Sequence, residues 1–370
     1  MRDAALVLAL ALAAAAPSQD NRALRFEPGV EYPAGNYPCS VAIGLLNADS
    51  IPDLAIANYG SNTVSILLGN GDGTFRKRRE FPASFLPYAV AIADFNKDGS
   101  SDLAVASEGA GTVSVLLGEG DGSFVKRQDL DVGGGAYSIA VGDLDADGDP
   151  DLVATNLNLN RVSVLLARGD GSFHPPVSYA TAHGPRSVTM ADLDSNGVPD
   201  LAVACFNSDA MSVLLGKGDG SFARRTDYHT GISPYSIVAG EINGDPWADL
   251  AVTNLVSNTV SVFLSTGRGY FRKMRDVRTG KQPYALAIAD LSGDGWADFA
   301  SSDLASNACS VVLGKGDGGF RKAEQIVAGE RPQSIVAGDL DRDGRPDLVT
   351  ANTGSNTVSV FLNRGWAAPP

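Results

Sequence analysis

The chain repeats itself at a fixed interval of 49 residues, and that period limits its fold more than any other feature. Short acid-rich loops open at Leu45, Asp94, Asp143, Asp192, Glu241, Asp290 and Asp339. A second marker keeps the same step. Turns of the type GDGSF end on Phe75, Phe124, Phe173, Phe222, Phe271 and Phe320. A repeat of this length is one supersecondary unit that cannot bury its apolar face alone, so the copies must pack on one another.

Within a copy the periodicity is that of strands. YSIAVGDL (137–144) alternates apolar and small residues, DLVATN and RVSVLLA follow as two more strands, and RGDGSF reads as a hairpin turn. The polar stretch FHPPVSYATA carries prolines that only an outer edge strand tolerates. Four strands per copy and no helical period predict an all-β, seven-bladed propeller of four-stranded blades. The seventh copy stops after its third strand, near Asn363. Its missing outer strand stands at the other end of the chain in LRFEPGVEYPAG, where Phe26 lies 49 residues before Phe75. The N-terminal segment is therefore expected to complete the last blade, which would remove the open edges of a linear array.

With 44% hydrophobic residues the composition supports a packed domain, placed at residues 24–366. A formal net charge of -14 argues against nucleic acid, whose binding rests on neutralising phosphates with Lys and Arg. Residues 1–20, with an apolar run from Ala4 to Ala16 followed by small residues, read as a signal peptide. The expectation is a secreted protein, extracellular or periplasmic, monomeric, with no membrane insertion after cleavage. Cys39, Cys205 and Cys309 offer no even disulfide framework and are expected as isolated buried thiols.

The acidic loops carry the chemistry. At positions 1, 3, 5 and 9 the third has Asp143, Asp145, Asp147 and Asp151, and the seventh Asp339, Asp341, Asp343 and Asp347. The second has Asp94, Asn96, Asp98 and Asp102; the fourth, Asp192, Asp194, Asn196 and Asp200. The fifth has Glu241, Asn243, Asp245 and Asp249, and the sixth Asp290, Ser292, Asp294 and Asp298. In the first, Leu45 displaces the opening ligand and leaves Asn47, Asp49 and Asp53. Every substitution but Leu45 keeps an oxygen, as a hard cation such as Ca²⁺ requires. The loops hold 22 of the chain's 43 acidic residues, a crowding that like-charge repulsion opposes unless a cation is present. Turn capping accounts for one or two aspartates per loop, not three or four. Up to seven Ca²⁺ are expected, with the first and fifth loops weakest because Ser50 and Pro246 replace the glycine after position 5.

This loop, D-x-D-x-D-G-x-x-D within its GDGSF frame, resembles the FG-GAP (VCBS-type) repeat, which builds the propeller of integrin α-subunits and of many secreted bacterial proteins. The resemblance spans 24–366. It implies calcium held by the four side chains of each loop and by the backbone carbonyl at position 7, such as that of Asp149 or Arg345. The literal Phe-Gly and Gly-Ala-Pro signatures are not kept, so the likeness is one of fold and metal loop rather than of partner.

Strand order puts the acidic loops and GDG turns on one face. The other carries two rings: Asn58, Ser107, Asn156, Cys205, Asn254, Asp303, Asn352, and Cys39, Tyr88, Tyr137, Arg186, Tyr235, Tyr284, Gln333. The first is read as bonding turns. In the second, Tyr88, Tyr137, Arg186, Tyr235 and Tyr284 form a candidate surface for a glycan or an extracellular protein. The RGD at Arg168–Asp170 is a hairpin turn, and the GxGDG turns lack the helix and lysine of a phosphate loop. The expected function is a calcium-binding adhesion module. A polysaccharide lyase or hydrolase on the same scaffold is the alternative, disfavoured because only His174, His183 and His229 offer imidazole and no copy carries an insertion. A passive spacer is a third reading.

Overall fold

The structure, a computed structural model, describes residues 24–366; the expected signal segment lies outside them. Seven antiparallel sheets follow the 49-residue period. In blade one the strands are Pro38–Gly44, Asp53–Asn58, Thr63–Leu67 and Arg79–Pro82, laid down from the centre outward in sequence order. Phe206–Ser208, a single turn of 3-10 helix, is the one helical element among the described residues.

The second strand of every blade is buried along its whole length, from Asp53–Asn58 to Asp347–Asn352. It meets a neighbouring blade on each face, which is why both faces read as apolar or small. The apolar core is accordingly divided into layers between blades. Leu46, Ala57 and Ile66 of blade one pack with Val90, Leu103 and Val105 of blade two, and six further clusters fill the other six contacts. Side-chain size alternates at the inner ends of the blades. Gly44 faces Ile92, Gly142 faces Met190 and Gly338 faces Ile43, so a larger side chain on the next blade fills the space each glycine leaves.

The ring closes as the repeat register requires. Val30–Pro33 pairs with Thr357–Phe361, Pro33 opposite Thr357, in phase with Pro82 opposite Thr63 in blade one. Leu24–Phe26 pairs with Asn363–Trp366, and Phe26 opposite Asn363 repeats the bridge of Phe75 to Gly69. The two ends of the described chain therefore replace the GDG hairpin of blade seven. They dock as that hairpin does. In other blades the hairpin amide reaches the acidic loop of the preceding blade, as Gly171 does to the Phe95 carbonyl at 3.0 Å. In blade seven, Asn363 Nδ2 reaches the Leu291 carbonyl at 2.8 Å and Trp366 Nε1 that of Ser292 at 2.9 Å.

Among the described residues no helix is long and apolar enough to cross a membrane. The three cysteines are buried and free.

Candidate metal centres

Each acidic loop joins the first and second strands of its blade, and its backbone is shaped by its own aspartates. In loops two, three, four, six and seven the residues at positions 4 and 6 have positive φ, as with Ala146 at 61° and Gly148 at 82°. The Gly148 amide donates to Asp143 Oδ2 at 3.0 Å, and Gly99, Gly197, Gly295 and Gly344 make the same bond to their first aspartate. Loop one has no positive φ, and in loop five only Gly244, at position 4, has one.

The position-9 aspartates are structural as well as acidic. Asp151 is fully buried; its Oδ2 accepts the Leu144 amide at 2.8 Å and its Oδ1 the Ala167 amide at 2.7 Å. Equivalent pairs of bonds hold Asp53, Asp102, Asp200, Asp249, Asp298 and Asp347. This residue ties the acidic loop to the end of the third strand. Spacing did not reveal the role, because a metal ligand and a double acceptor ask for the same carboxylate. Burial pushes Asp151, Asp200, Asp249, Asp298 and Asp347 up to about 6, against the opposing effect of those backbone bonds, and the neighbouring loop acids push them further.

Three loops bring three carboxylates to a common point: Asp143, Asp145 and Asp151; Asp192, Asp194 and Asp200; Asp339, Asp341 and Asp347. In each, one oxygen per residue lies within 4.8 Å of the other two. Asp143 Oδ1, Asp145 Oδ1 and Asp341 Oδ1 are buried with no hydrogen-bond partner. Buried anionic oxygens without donors are costly unless a cation meets them, so the donor set fits a hard divalent ion. Burial raises Asp145 above the usual carboxylate range, and Asp147 and Asp143 raise it further.

The remaining loops use protein donors at the same place. Asn47, Asn96 and Asn243 each donate their amide to the position-5 carboxylate, at 2.9, 2.8 and 2.7 Å. In loop six Ser292 Oγ stands 3.4 Å from Asp290. Neighbouring cations also intervene. Lys97 of loop two pairs with Asp149 beside loop three, and Arg364 bonds Asp341, Asp343 and Glu27 above loop seven, where Arg345 also meets Asp343. Position 7 has a further task. Its side chain covers the first glycine of the GDG hairpin, as Ile51 covers Gly71, Val198 covers Gly218, Trp247 covers Gly267 and Trp296 covers Gly316.

On the opposite face the tyrosine ring converges. Tyr88 Oη lies 2.6 Å from both Tyr235 Oη and Tyr284 Oη, and Tyr235 donates to Tyr284. Arg186 lies 4.2 Å from the Tyr137 ring and 5.0 Å from that of Tyr235, to whose hydroxyl it donates at 3.2 Å; its Nε is buried without a partner. Burial pushes Tyr137 up to about 12. Of the asparagine ring, Asn58 accepts the Gly35 amide at 3.0 Å and donates to Ser65 and Thr63, fastening the link between blades to the turn.

The fold and its loops define a seven-bladed propeller with acid-rich strand–loop–strand sites on one face. Residues 46–105, 94–154, 143–203, 242–301 and 299–350 match the FG-GAP-like repeat, and the chain belongs to that family. No curated protein matches it. Solved structures share the fold at low identity. Virginiamycin B lyase from Staphylococcus aureus is 15% identical with a TM-score of 0.63, over 91% of this chain and 99% of that one. BBS1N, in complex with ARL6DN, is 14% identical with a TM-score of 0.65, over 92% and 97%. An Agrocybe aegerita lectin that recognises non-reducing terminal N-acetylglucosamine is 17% identical with a TM-score of 0.56, over 89% and 86%.

Proposed function

We propose that the protein is a secreted binding module whose propeller is stiffened by calcium and whose tyrosine-lined face presents a ligand site for a glycan or an extracellular protein. The observation that carries the metal reading is the set of buried, partnerless oxygens Asp143 Oδ1, Asp145 Oδ1 and Asp341 Oδ1 beside converging carboxylates. Loop three would hold the ion through Asp143, Asp145, Asp147 and Asp151, loop four through Asp192, Asp194, Asn196 and Asp200, loop seven through Asp339, Asp341, Asp343 and Asp347. There the ion supplies charge neutralisation and cross-links the loop. The ligand reading rests on Tyr88, Tyr137, Arg186, Tyr235 and Tyr284, which combine flat apolar rings with hydroxyls and one buried cation.

An ion that binds only the folded state stabilises it. For sites of ~0.1–1 mM affinity, roughly 10 mM calcium adds about 1.4–2.7 kcal/mol per occupied site. Thermal unfolding of the full chain in EDTA and in calcium measures this. A melting temperature that rises with calcium and falls on chelation is expected; superimposable curves would falsify the metal reading. A glycan array probed in calcium, with Arg186→Ala as the comparison, tests the ligand face.

A further inference from the structure

The protein is acidic overall, yet one groove on its rim is basic. Between the outer strand of blade five and the GDG hairpin of blade six lies a groove of about 680 Å³, with Arg275, Arg278 and Lys315 on its walls and Met274, Val277 and Phe320 on its floor. All three cations are exposed, and among the described residues none is drawn into an ion pair or a side-chain hydrogen bond. The one lining acid, Asp276, is already neutralised by Lys273 at 3.1 Å and accepts from Ser261 Oγ at 2.8 Å.

The backbone here also departs from the repeat. The outer strands of the other blades keep at least four residues paired in one register: four in Arg79–Pro82 and Thr226–His229, and a longer run with one bulge in Phe124–Asp131 of blade two. In blade five only Val277 and Arg278 pair in that register, while an added segment, Phe271–Lys273, pairs upstream. Arg275 and Asp276 thus leave the ladder beside the groove. Neither the metal loops nor the tyrosine face requires this break.

We propose that this groove binds a segment of an anionic polysaccharide, its carboxylate or sulfate groups meeting Arg275, Arg278 and Lys315. Arginine matches both anions with two parallel donors. The apolar floor suits the C–H face of a pyranose ring, which a bare phosphate backbone lacks. A polymer with one charge per sugar or two also approaches a chain of net charge -14 against less repulsion than nucleic acid or an anionic bilayer would meet.

Affinity electrophoresis of the full chain through polygalacturonate (carboxylate), heparin (sulfate) and neutral dextran, at low and high salt, tests the inference. Retention by one or both polyanions, weakened by salt, with none by dextran, is expected. The variant R275A/R278A/K315A should lose roughly tenfold or more in affinity, the factor that corresponds to about 1.4 kcal/mol. A variant losing equal charge elsewhere, K77A/R161A/K217A, should bind nearly as the parent does. Equal loss in both variants, no retention of the parent, or tighter binding to duplex DNA or anionic vesicles would each overturn the assignment. Circular dichroism of both variants separates misfolding from lost binding, and if the triple variant unfolds, charge reversal by Arg278→Glu alone decides. Because none of the groove's lining residues is a proposed metal ligand or a member of the tyrosine ring, its failure leaves the calcium and Arg186 tests untouched.

Discussion

Asp303 shows how one residue can depart from the repeat at a measurable cost. It stands where blades one, three, five and seven carry Asn58, Asn156, Asn254 and Asn352, and it is fully buried. Its Oδ2 accepts Ser310 Oγ at 2.5 Å and the Gly280 amide at 3.2 Å, and its Oδ1 accepts Ser301 Oγ at 3.0 Å. In blades two, four and five the equivalent serine donates instead to an outer-strand aspartate, Asp129, Asp227 or Asp276; blade six has Gln325 there, so the acceptor has moved inward. Burial pushes Asp303 up to about 6 despite these bonds. In the unfolded chain the carboxyl ionises near ~3.9. Between those values the folded state holds a proton that the unfolded state has released, so this group favours folding at low pH and the advantage is lost as pH rises through about 6. Asp303→Asn, which restores the common residue and carries no charge, should stabilise the protein at pH 7 by up to about 3 kcal/mol, the equivalent of a shift of about two units. The gain should shrink as pH falls toward 4. Urea unfolding at a series of pH values reads this directly; a gain that is flat with pH removes the buried-charge explanation.

At the scale of the element, the acidic loop divides its labour between positions. Asp53 in loop one accepts two buried backbone amides, from Leu46 at 2.9 Å and Gly69 at 2.8 Å, and its loop lacks a position-1 ligand. Asp53→Asn keeps one acceptor oxygen and leaves the other amide facing a donor, so a loss of about 1–3 kcal/mol is expected with or without calcium. Asp145→Asn in loop three should do the reverse, relieving repulsion in EDTA while shrinking the calcium-induced rise in melting temperature. A pair of variants that respond alike to calcium would refute the division. The loops were legible in sequence because their oxygens recur every 49 residues, and so was the ring closure, since Phe26 keeps that step. The distinction between ligand and backbone acceptor was not, because both ask for aspartate at position 9. Nor were the counter-charges: Lys97 reaches loop three from loop two, and Arg364 reaches loop seven from the segment that replaces a hairpin. The tyrosines share one position of the repeat, but spacing along a chain says nothing of how far side chains reach between blades, where Tyr88, Tyr235 and Tyr284 meet.

For the whole molecule, the division of the core into seven layers between blades makes closure a condition of stability. No blade encloses a core by itself, so the contact between blades seven and one must be as good as the other six. That contact includes Ala34 and Tyr32 from the N-terminal segment, packed with Val349, Val358 and Val360. Removing residues 1–33 would expose the third strand of blade seven, Thr357–Phe361, as an unpaired apolar edge. Such an edge pairs with other chains, and the truncated protein is expected to self-associate and to lose its cooperative thermal transition. A circular permutant of residues 24–366 separates the loss of residues from the loss of continuity. Leu24 lies opposite Trp366, so a short glycine-rich link can join the two ends, and new termini can open at the exposed Asp121 of the blade-two hairpin. The permutant keeps every sheet pairing but moves the seam from blade seven to blade two. It should match the parent protein in its elution from size-exclusion chromatography and in its thermal transition, because the fold depends on a closed ring and not on which blade carries the join. If the permutant aggregates as the truncation does, the seam at blade seven supplies more than closure, and the bonds from Asn363 and Trp366 to the blade-six loop become the next contacts to dissect.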